Sequence, residues 1–232
     1  MPVPVISAIV AAAGRGRRMG GGQNKVFLSL KDRPILAYCL DTLNTSPLVG
    51  EIILVTGKED ISFCRRNFAG RFKKIAQIVA GGEERQDSVR FGLAVAGRDY
   101  PFVAVHDGAR PFFSLALLER LIEAAGEYGA AVPALPVKET IKLAGPGDMV
   151  QSTLDRARLW AVQTPQVFRR EILIEAHNKA RDEGWQATDD AALVECCGYP
   201  VKLVLGEPGN IKITTPEDLI IARAFLEAGV FG

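Results

Sequence analysis

The chain has 232 residues, 48% hydrophobic and 24% charged, which suits one well-cored folded domain and excludes disorder as a whole. Its 28 Lys and Arg against 27 Asp and Glu leave a formal net charge of +1, so no global field draws it to nucleic acid or to an acidic membrane, and any positive site must be local. Cys39, Cys64, Cys196 and Cys197 lack Cys-x-x-Cys spacing and follow no signal-peptide pattern or long apolar run, so they read as reduced, mostly core cysteines of a cytoplasmic protein, and two histidines, His106 and His177, argue against a histidine-based metal centre or a Ser-His-Asp arrangement.

Val5 to Val10 is an apolar run that predicts a buried strand, followed by Ala11-Ala12-Ala13-Gly14-Arg15-Gly16-Arg17-Arg18-Met19-Gly20-Gly21-Gly22-Gln23-Asn24-Lys25. Glycines and basic side chains directly after such a strand bring backbone N–H groups and positive charge together, as phosphate-holding loops do. Neither standard template fits: Met19 stands where a dinucleotide fingerprint needs glycine, and no Lys-Ser or Lys-Thr follows the last glycine. A solvated glycine-rich loop would read similarly; Arg15, Arg17, Arg18 and Lys25 tilt the reading towards an anion site.

Asp32-Arg33-Pro34 opens a segment with apolar residues at Ile35, Leu36, Tyr38, Cys39, Leu40 and Leu43, spaced as an amphipathic helix. Strands are predicted at Glu51 to Thr56, Lys74 to Val79, Phe102 to His106 and Ala130 to Leu135, with helices at Ile61 to Phe68, Arg85 to Ala96 and Ser114 to Tyr128 between them. Continuous apolar strands alternating with helices imply an α/β, doubly wound, mainly parallel sheet covered on both faces. From Pro136 to about Gln163 the rhythm breaks. Gly145-Pro146-Gly147 reads as a turn between Glu139 to Leu143 and Met149 to Leu154, a β-arm at about 137–160 leaving a single domain of residues 1–232. Exposed strand edges on such an arm invite pairing with a second chain. Helices at Phe168 to Glu183 and Asp189 to Cys197, a strand at Val201 to Leu205, and a final helix from Thr215 to Ala228 with Thr215 as N-cap complete the chain.

Ligands of open α/β sheets bind beyond the carboxyl ends of the strands, where the unusual residues of this chain fall. The glycine and arginine loop, Gly81-Gly82-Glu83-Glu84-Arg85-Gln86-Asp87-Ser88, Asp107 and Lys212 should converge on one cleft. Asp107, between a strand and Gly108, is placed to hold a divalent cation bridging phosphate oxygens, or simply to form a turn. His106 reads as structural. Ser88 can serve a base or phosphate, or only start its helix; Arg156 suits an ion pair with Asp155 or a solvated face; Thr140 suits a β-strand; Asp189 and Asp190 read as a helix cap.

The ordered set Ala12-Ala13-Gly14-Arg15-Gly16-Arg17-Arg18-Met19 with Lys25, Gly81-Gly82-x-x-Arg85-x-Asp87-Ser88-Val89, Val105-His106-Asp107-x-Ala109-Arg110-Pro111, Asp155-Arg156, Thr164-Pro165-Gln166 and Asn210-Ile211-Lys212-Ile213-Thr214 closely resembles the 2-C-methyl-D-erythritol 4-phosphate cytidylyltransferases of the non-mevalonate isoprenoid pathway. The resemblance covers nearly the whole chain. It implies a Rossmann-like nucleotidyltransferase that transfers a cytidylyl group from CTP to methylerythritol phosphate, releases pyrophosphate and requires Mg²⁺. It further implies that Arg18 and Lys25 stabilise charge on the α-phosphate, that Arg156 and Lys212 hold the substrate phosphate, and that Ala12, Ala13, Gly14, Gly82, Asp87 and Ser88 contact the nucleotide. Asp107 would contact metal and substrate, and Arg110 and Thr140 the substrate side. In the family the arm is exchanged between subunits of a homodimer, so Thr140 and Arg156 would serve the partner's site. Three departures stand out: Ala11 in place of a frequent proline, Gly108 in place of alanine, and Gly20-Gly21-Gly22, which makes the loop costlier to order and predicts that it is disordered without nucleotide.

The chemistry agrees with the composition. A phosphate monoester, with a second pKa of about 6, is already largely dianionic at neutral pH, so no general base is required. The reaction needs cancellation of repulsion between phosphates, which fixed Lys, Arg and Mg²⁺ charges supply. The competing readings are a cytidylyltransferase for ribitol 5-phosphate or another polyol phosphate, whose nucleotide half would look alike, and a nucleotide-binding subunit without catalysis.

Overall fold

The computed structural model describes residues 5–14 and 24–229. β1 (Ile6–Ala12) lies inside the main sheet with a parallel partner on each side, which explains a sequence that is apolar at nearly every position. Its one hydroxyl, Ser7, is buried and donates to Glu51 at 2.7 Å. A two-residue hairpin, β2 (Ser29–Leu30) with β3 (Arg33–Pro34), leads into α1 (Ile35–Thr45). β4 (Val49–Thr56), one α turn α2 (Ile61–Cys64) and β5 (Ile75–Ala80) follow. The helix expected over Ile61 to Phe68 is thus shorter, continuing from Arg65 to Ala69 as a wider π turn that buries Phe68 beside Phe72.

α3 (Arg85–Val95), β6 (Phe102–Asp107), α4 (Leu115–Tyr128) and β7 (Ala130–Pro136) continue the alternation. Ser114 caps α4 by accepting from the Leu117 amide, and Gly129 ends it at φ +90°, a conformation that favours glycine. After β7 a hairpin leaves the body: β8 (Lys142–Ala144), shorter and later than the Glu139 to Leu143 strand expected, pairs antiparallel with β9 (Val150–Thr153). Beyond it lie two strands that the sequence reading did not resolve, β10 (Trp160–Val162) and β11 (Gln166–Arg169), so Phe168 belongs to a strand and α5 (Arg170–Glu183) begins two residues later. α6 (Asp190–Cys196), β12 (Lys202–Leu205) and α7 (Pro216–Glu227) complete the chain, and Thr215 caps α7 in a reciprocal box with Asp218.

The main sheet has the order β10-β7-β11-β6-β1-β4-β5, with β12 on the other edge of β7. The β6-β1-β4-β5 half is parallel, whereas β11 runs antiparallel between β6 and β7. β11 takes that place because Val167 and Phe168 are fully buried there, against Ala104 and Val103 on one side and Ala131 and Ala130 on the other. Alternate residues of β1 feed two cores: Ala8, Val10 and Ala12 pack towards α1 and α4, and Ile9 towards α3, α5 and α6. A smaller cluster of Leu30, Ile35, Phe112 and Ile213 seats α7 through Ala222. No described helix is long and apolar enough to cross a membrane.

Candidate active site

The carboxyl ends of β1, β5 and β6 open onto one cavity of about 220 Å³, lined by Ala11 to Gly14, Lys25, Val26, Gly82 to Arg85, Ser88, Asp107, Ala109 and Lys212. Among the described residues, the two flanks of the glycine and arginine loop (Ala11 to Gly14 and Lys25), the Gly82 to Ser88 turn, Asp107 and Lys212 converge there; residues 15–23 of that loop lie outside the described residues. The approach of the converging segments is close enough to require glycine: a Cβ on Gly81 would stand 2.5 Å from the Ala13 Cβ and 2.6 Å from the Ser88 hydroxyl, and one on Gly82 would stand 2.3 Å from the Asp87 Cβ. Ser88 fixes the same turn, its hydroxyl accepting from the Gly82 amide and donating to the Glu84 carbonyl, both at 3.1 Å.

Lys25 begins a single 3-10 turn whose cap, Asn24, accepts from the Val26 amide and donates to the Ala12 carbonyl. Asn24 therefore pins the far end of the glycine and arginine loop to the end of β1. Lys212 arrives from the other side, because the Ile213 amide donates to the Ala109 carbonyl at 2.8 Å. Asp107 sits between them. Its carboxylate meets Lys212 Nζ at 2.8 Å, Arg85 Nε at 3.0 Å and, more distantly, Arg110 Nε at 3.8 Å. Burial alone would raise its pKa, but the charges of Arg85, Lys212 and Arg110 outweigh burial and hold it well below the usual carboxylate range.

His106 has no access to the cleft and is fully buried. Its Nε2–H donates to the Arg110 carbonyl at 2.9 Å, which leaves Nδ1 to accept from the Thr164 hydroxyl at 3.1 Å. Thr164 in turn accepts from the Asp107 amide at 3.0 Å. Desolvation pushes the imidazole pKa down to about 4, so the ring stays neutral, and its role is structural as the sequence suggested.

The model of the family described as 2-C-methyl-D-erythritol 4-phosphate cytidylyltransferase matches residues 6–228. The chain belongs to this cytidylyltransferase family. It is 47% identical over 223 residues to the 2-C-methyl-D-erythritol 4-phosphate cytidylyltransferase of Caldanaerobacter subterraneus subsp. tengcongensis, covering 95% of this chain and 98% of that one. The same-named protein of Geobacillus kaustophilus is 48% identical over 221 residues, covering 94% and 96%. Among solved structures, the 4-diphosphocytidyl-2C-methyl-D-erythritol synthase of Anaerococcus prevotii superposes with a TM-score of 0.86 at 33% identity, covering 97% of this chain and 96% of that one. That of the Thermus thermophilus cytidylyltransferase gives 0.78 at 37% identity, covering 96% and 99%.

Against the residues that the cytidylyltransferase resemblance implies, the cavity gathers Ala12, Ala13, Gly14, Lys25, Gly82, Ser88, Asp107 and Lys212. Arg18 and Gly20 to Gly22 lie outside the described residues. Arg110 lines an adjoining cavity of about 240 Å³ with Asp107, Lys212 and Gln163, its guanidinium donating to the Asn210 carbonyl at 2.7 Å. Asp87 turns away from the first cavity, into an ion pair with Arg90 at 3.2 Å and onto a separate hollow beside Trp185. Thr140 and Arg156 are exposed on the arm and line neither cavity of their own chain. Arg156 does not pair with Asp155; it donates to the Lys138 carbonyl at 2.8 Å, while Asp155 caps the short turn by accepting from the Ala157 amide. Asp189 is the cap of α6, but Asp190 is buried and bonds Arg85 and His177 instead.

Arg85 and Asn24 stand within the motifs, but sequence reasoning gives neither a role of its own in the site. A single half-buried arginine spanning two carboxylates has no local sequence mark, whereas an Asx residue just before a one-turn helix does.

Proposed function

We propose that the protein transfers the cytidylyl group of CTP to 2-C-methyl-D-erythritol 4-phosphate, with release of pyrophosphate. The observation that carries this reading is the convergence of Lys25, Asp107 and Lys212 on a glycine-walled cavity, in a chain of the cytidylyltransferase family. An oxygen of the acceptor phosphate forms a bond to the α-phosphorus of CTP as the bond from that phosphorus to the bridging oxygen of pyrophosphate breaks. The acceptor is dianionic near neutral pH, so it needs no base, in keeping with a His106 that is buried and neutral.

The chain's own charges do the remaining work. Lys25 and Arg18 stabilise the charge that gathers on the α-phosphate, and Lys212 holds the acceptor phosphate against it. Arg156 and Thr140 complete the acceptor side from the arm of a second copy. That arm carries Met149, 72% exposed, and Val150, 62% exposed, an apolar tip suited to a homodimer. Ala12 to Gly14, Gly82, Asp87 and Ser88 hold the nucleotide, and Arg110 supports the acceptor side. We read residues 1–232 as one nucleotidyltransferase domain with the arm at about 137–160. Unpaired thiols at Cys39, Cys64, Cys196 and Cys197 suit a reducing cytoplasm.

No cluster of three or more metal-ligating side chains occurs among the described residues. Asp107, kept ionised at the cavity wall, fits Mg²⁺ as a single protein carboxylate, because that ion takes its other ligands from phosphates and water. When bound, the ion would neutralise phosphate charge. The test is pyrophosphate release with CTP and Mg²⁺, offering methylerythritol phosphate or ribitol 5-phosphate; release only with the second would move the substrate assignment to another polyol phosphate.

A further inference from the structure

A chain of charged hydrogen bonds runs from the cleft into the protein. Lys212 Nζ meets Asp107 Oδ2 at 2.8 Å, Arg85 Nε donates to Asp107 Oδ1 at 3.0 Å, Arg85 Nη1 donates to Asp190 Oδ2 at 2.6 Å, and His177 Nε2 stands 3.0 Å from Asp190 Oδ1. Four separate elements and a loop supply the links: His177 from α5, Asp190 from the start of α6, Arg85 from the start of α3, Asp107 from the end of β6, and Lys212 from the segment before α7. The inner end is sealed from water, with the His177 and Asp190 side chains each 1% exposed.

A histidine is an odd choice at this place on α5, where the neighbouring inward positions are Leu173, Ala176 and Ala180. Its Nδ1 is buried with no hydrogen-bond partner, so the ring gives up its hydration for one bond. That bond goes to Asp190, a carboxylate whose burial would favour the neutral form but which the Arg85 charge and the His177 bond keep ionised. Asp190 thus carries a full charge that Arg85 alone would have to orient. Arg85 is shared between two carboxylates, and anything that loosens it from Asp190 lets it turn wholly towards Asp107 and compete with Lys212 there.

We infer that His177 and Asp190 are positioning residues: His177 fixes Asp190, Asp190 fixes the Arg85 guanidinium, and Arg85 holds Asp107 at the angle at which Lys212 meets it. Its kinetic consequence rests on the proposed function, in which Lys212 holds the acceptor phosphate. The proposed nucleotide contacts at Ala12 to Gly14 lie on another loop, and those at Gly82 and Ser88, although in the segment that carries Arg85, are fixed by the bonds of the Ser88 hydroxyl to the Gly82 amide and the Glu84 carbonyl and not by the Arg85 guanidinium, so the relay acts mainly on the acceptor and the chemical step.

Two readouts test this with His177→Leu, which removes the donor, and His177→Gln, which restores one; His177→Met replaces the leucine variant if that one does not fold. In the substrate-free protein, nitrogen-resolved NMR follows solvent exchange at the Arg85 Nε–H. His177→Leu is expected to speed it about tenfold and His177→Gln to keep it within about threefold of wild type. In steady-state kinetics, His177→Leu is expected to raise KM for the acceptor and lower kcat, each by about tenfold, with KM for CTP within about twofold, and His177→Gln to recover most of the loss. Unchanged Arg85 exchange in His177→Leu would overturn the relay, as would equal rises in both KM values. A wild-type protein that released no pyrophosphate would defeat the proposed function, and the exchange measurement would still decide the relay.

Discussion

His106 makes a prediction about acid stability that can be worked through quantitatively. In the unfolded chain its imidazole takes a proton near pH 6.5, whereas in the fold, fully buried, it does so only near pH 4. Between those limits the unfolded state binds more protons, so stability falls as pH falls and the loss is complete below about pH 4. At about 1.4 kcal/mol for each tenfold in proton concentration, the window amounts to about 3 kcal/mol, a large share of a typical domain's stability. The cause is burial, which strips water from a charged imidazole; the Arg110 and Arg85 charges add to it, while the bond to the Arg110 carbonyl and the Asp107 charge oppose it, and a second ring proton at Nδ1 would also oblige the Thr164 hydroxyl to turn away. The carboxylates with lowered pKa, Asp107 and Asp190, act elsewhere, since their contribution is full above about pH 3.8 and is lost only below it. The assay is urea unfolding followed by the fluorescence of Trp160 and Trp185, in metal-free buffer from pH 4.5 to 7.5, for wild type and His106→Gln. The variant should be less stable at pH 7.5 but should lose about 2 kcal/mol less than wild type on descending to pH 4.5. Parallel pH profiles for the two proteins would refute the reasoning.

Lys25→Ala and Arg18→Ala should each lower kcat about a hundred- to a thousandfold while changing CTP affinity far less, as read by single-turnover kinetics and equilibrium binding; an unchanged kcat would remove that residue from the mechanism. Gly82→Ala would place a Cβ 2.3 Å from that of Asp87 and should weaken CTP binding at least about tenfold in a protein that still folds; wild-type affinity would show that the loop yields. If the arm builds the proposed homodimer, replacing the exposed Met149 and Val150 with aspartate should shift sedimentation from dimer to monomer and abolish turnover, and a fully active monomer would contradict a shared site.

The parallel half of the fold was legible because each of its strands is covered on both faces and therefore reads as an apolar run, as in β1, β4 and β6. Thr215 and Pro216 marked the last helix for an equally local reason, the cap they build with Asp218. The antiparallel insert was hidden. Trp160 to Val162 and Gln166 to Arg169 are three- and four-residue strands whose pairing with β7 is set at long range, and the second merges into the apolar pattern of α5. Adjacent aspartates show the same limit within the site. Asp189 reaches the Ala192 amide three residues on, as local reading predicts, whereas Asp190 reaches Arg85 at a sequence separation of 105. The cleft's membership was readable because strand ends in an open α/β sheet face one way; the ties among Asp107, Arg85 and Lys212 within it were not, since each depends on which loops the sheet order brings side by side.

The most direct measurement of the central claim is pyrophosphate release by the purified protein with CTP and Mg²⁺, with methylerythritol phosphate in one reaction and ribitol 5-phosphate in another. Release with methylerythritol phosphate alone is the predicted result. Release with ribitol 5-phosphate alone, or with neither acceptor, would contradict it.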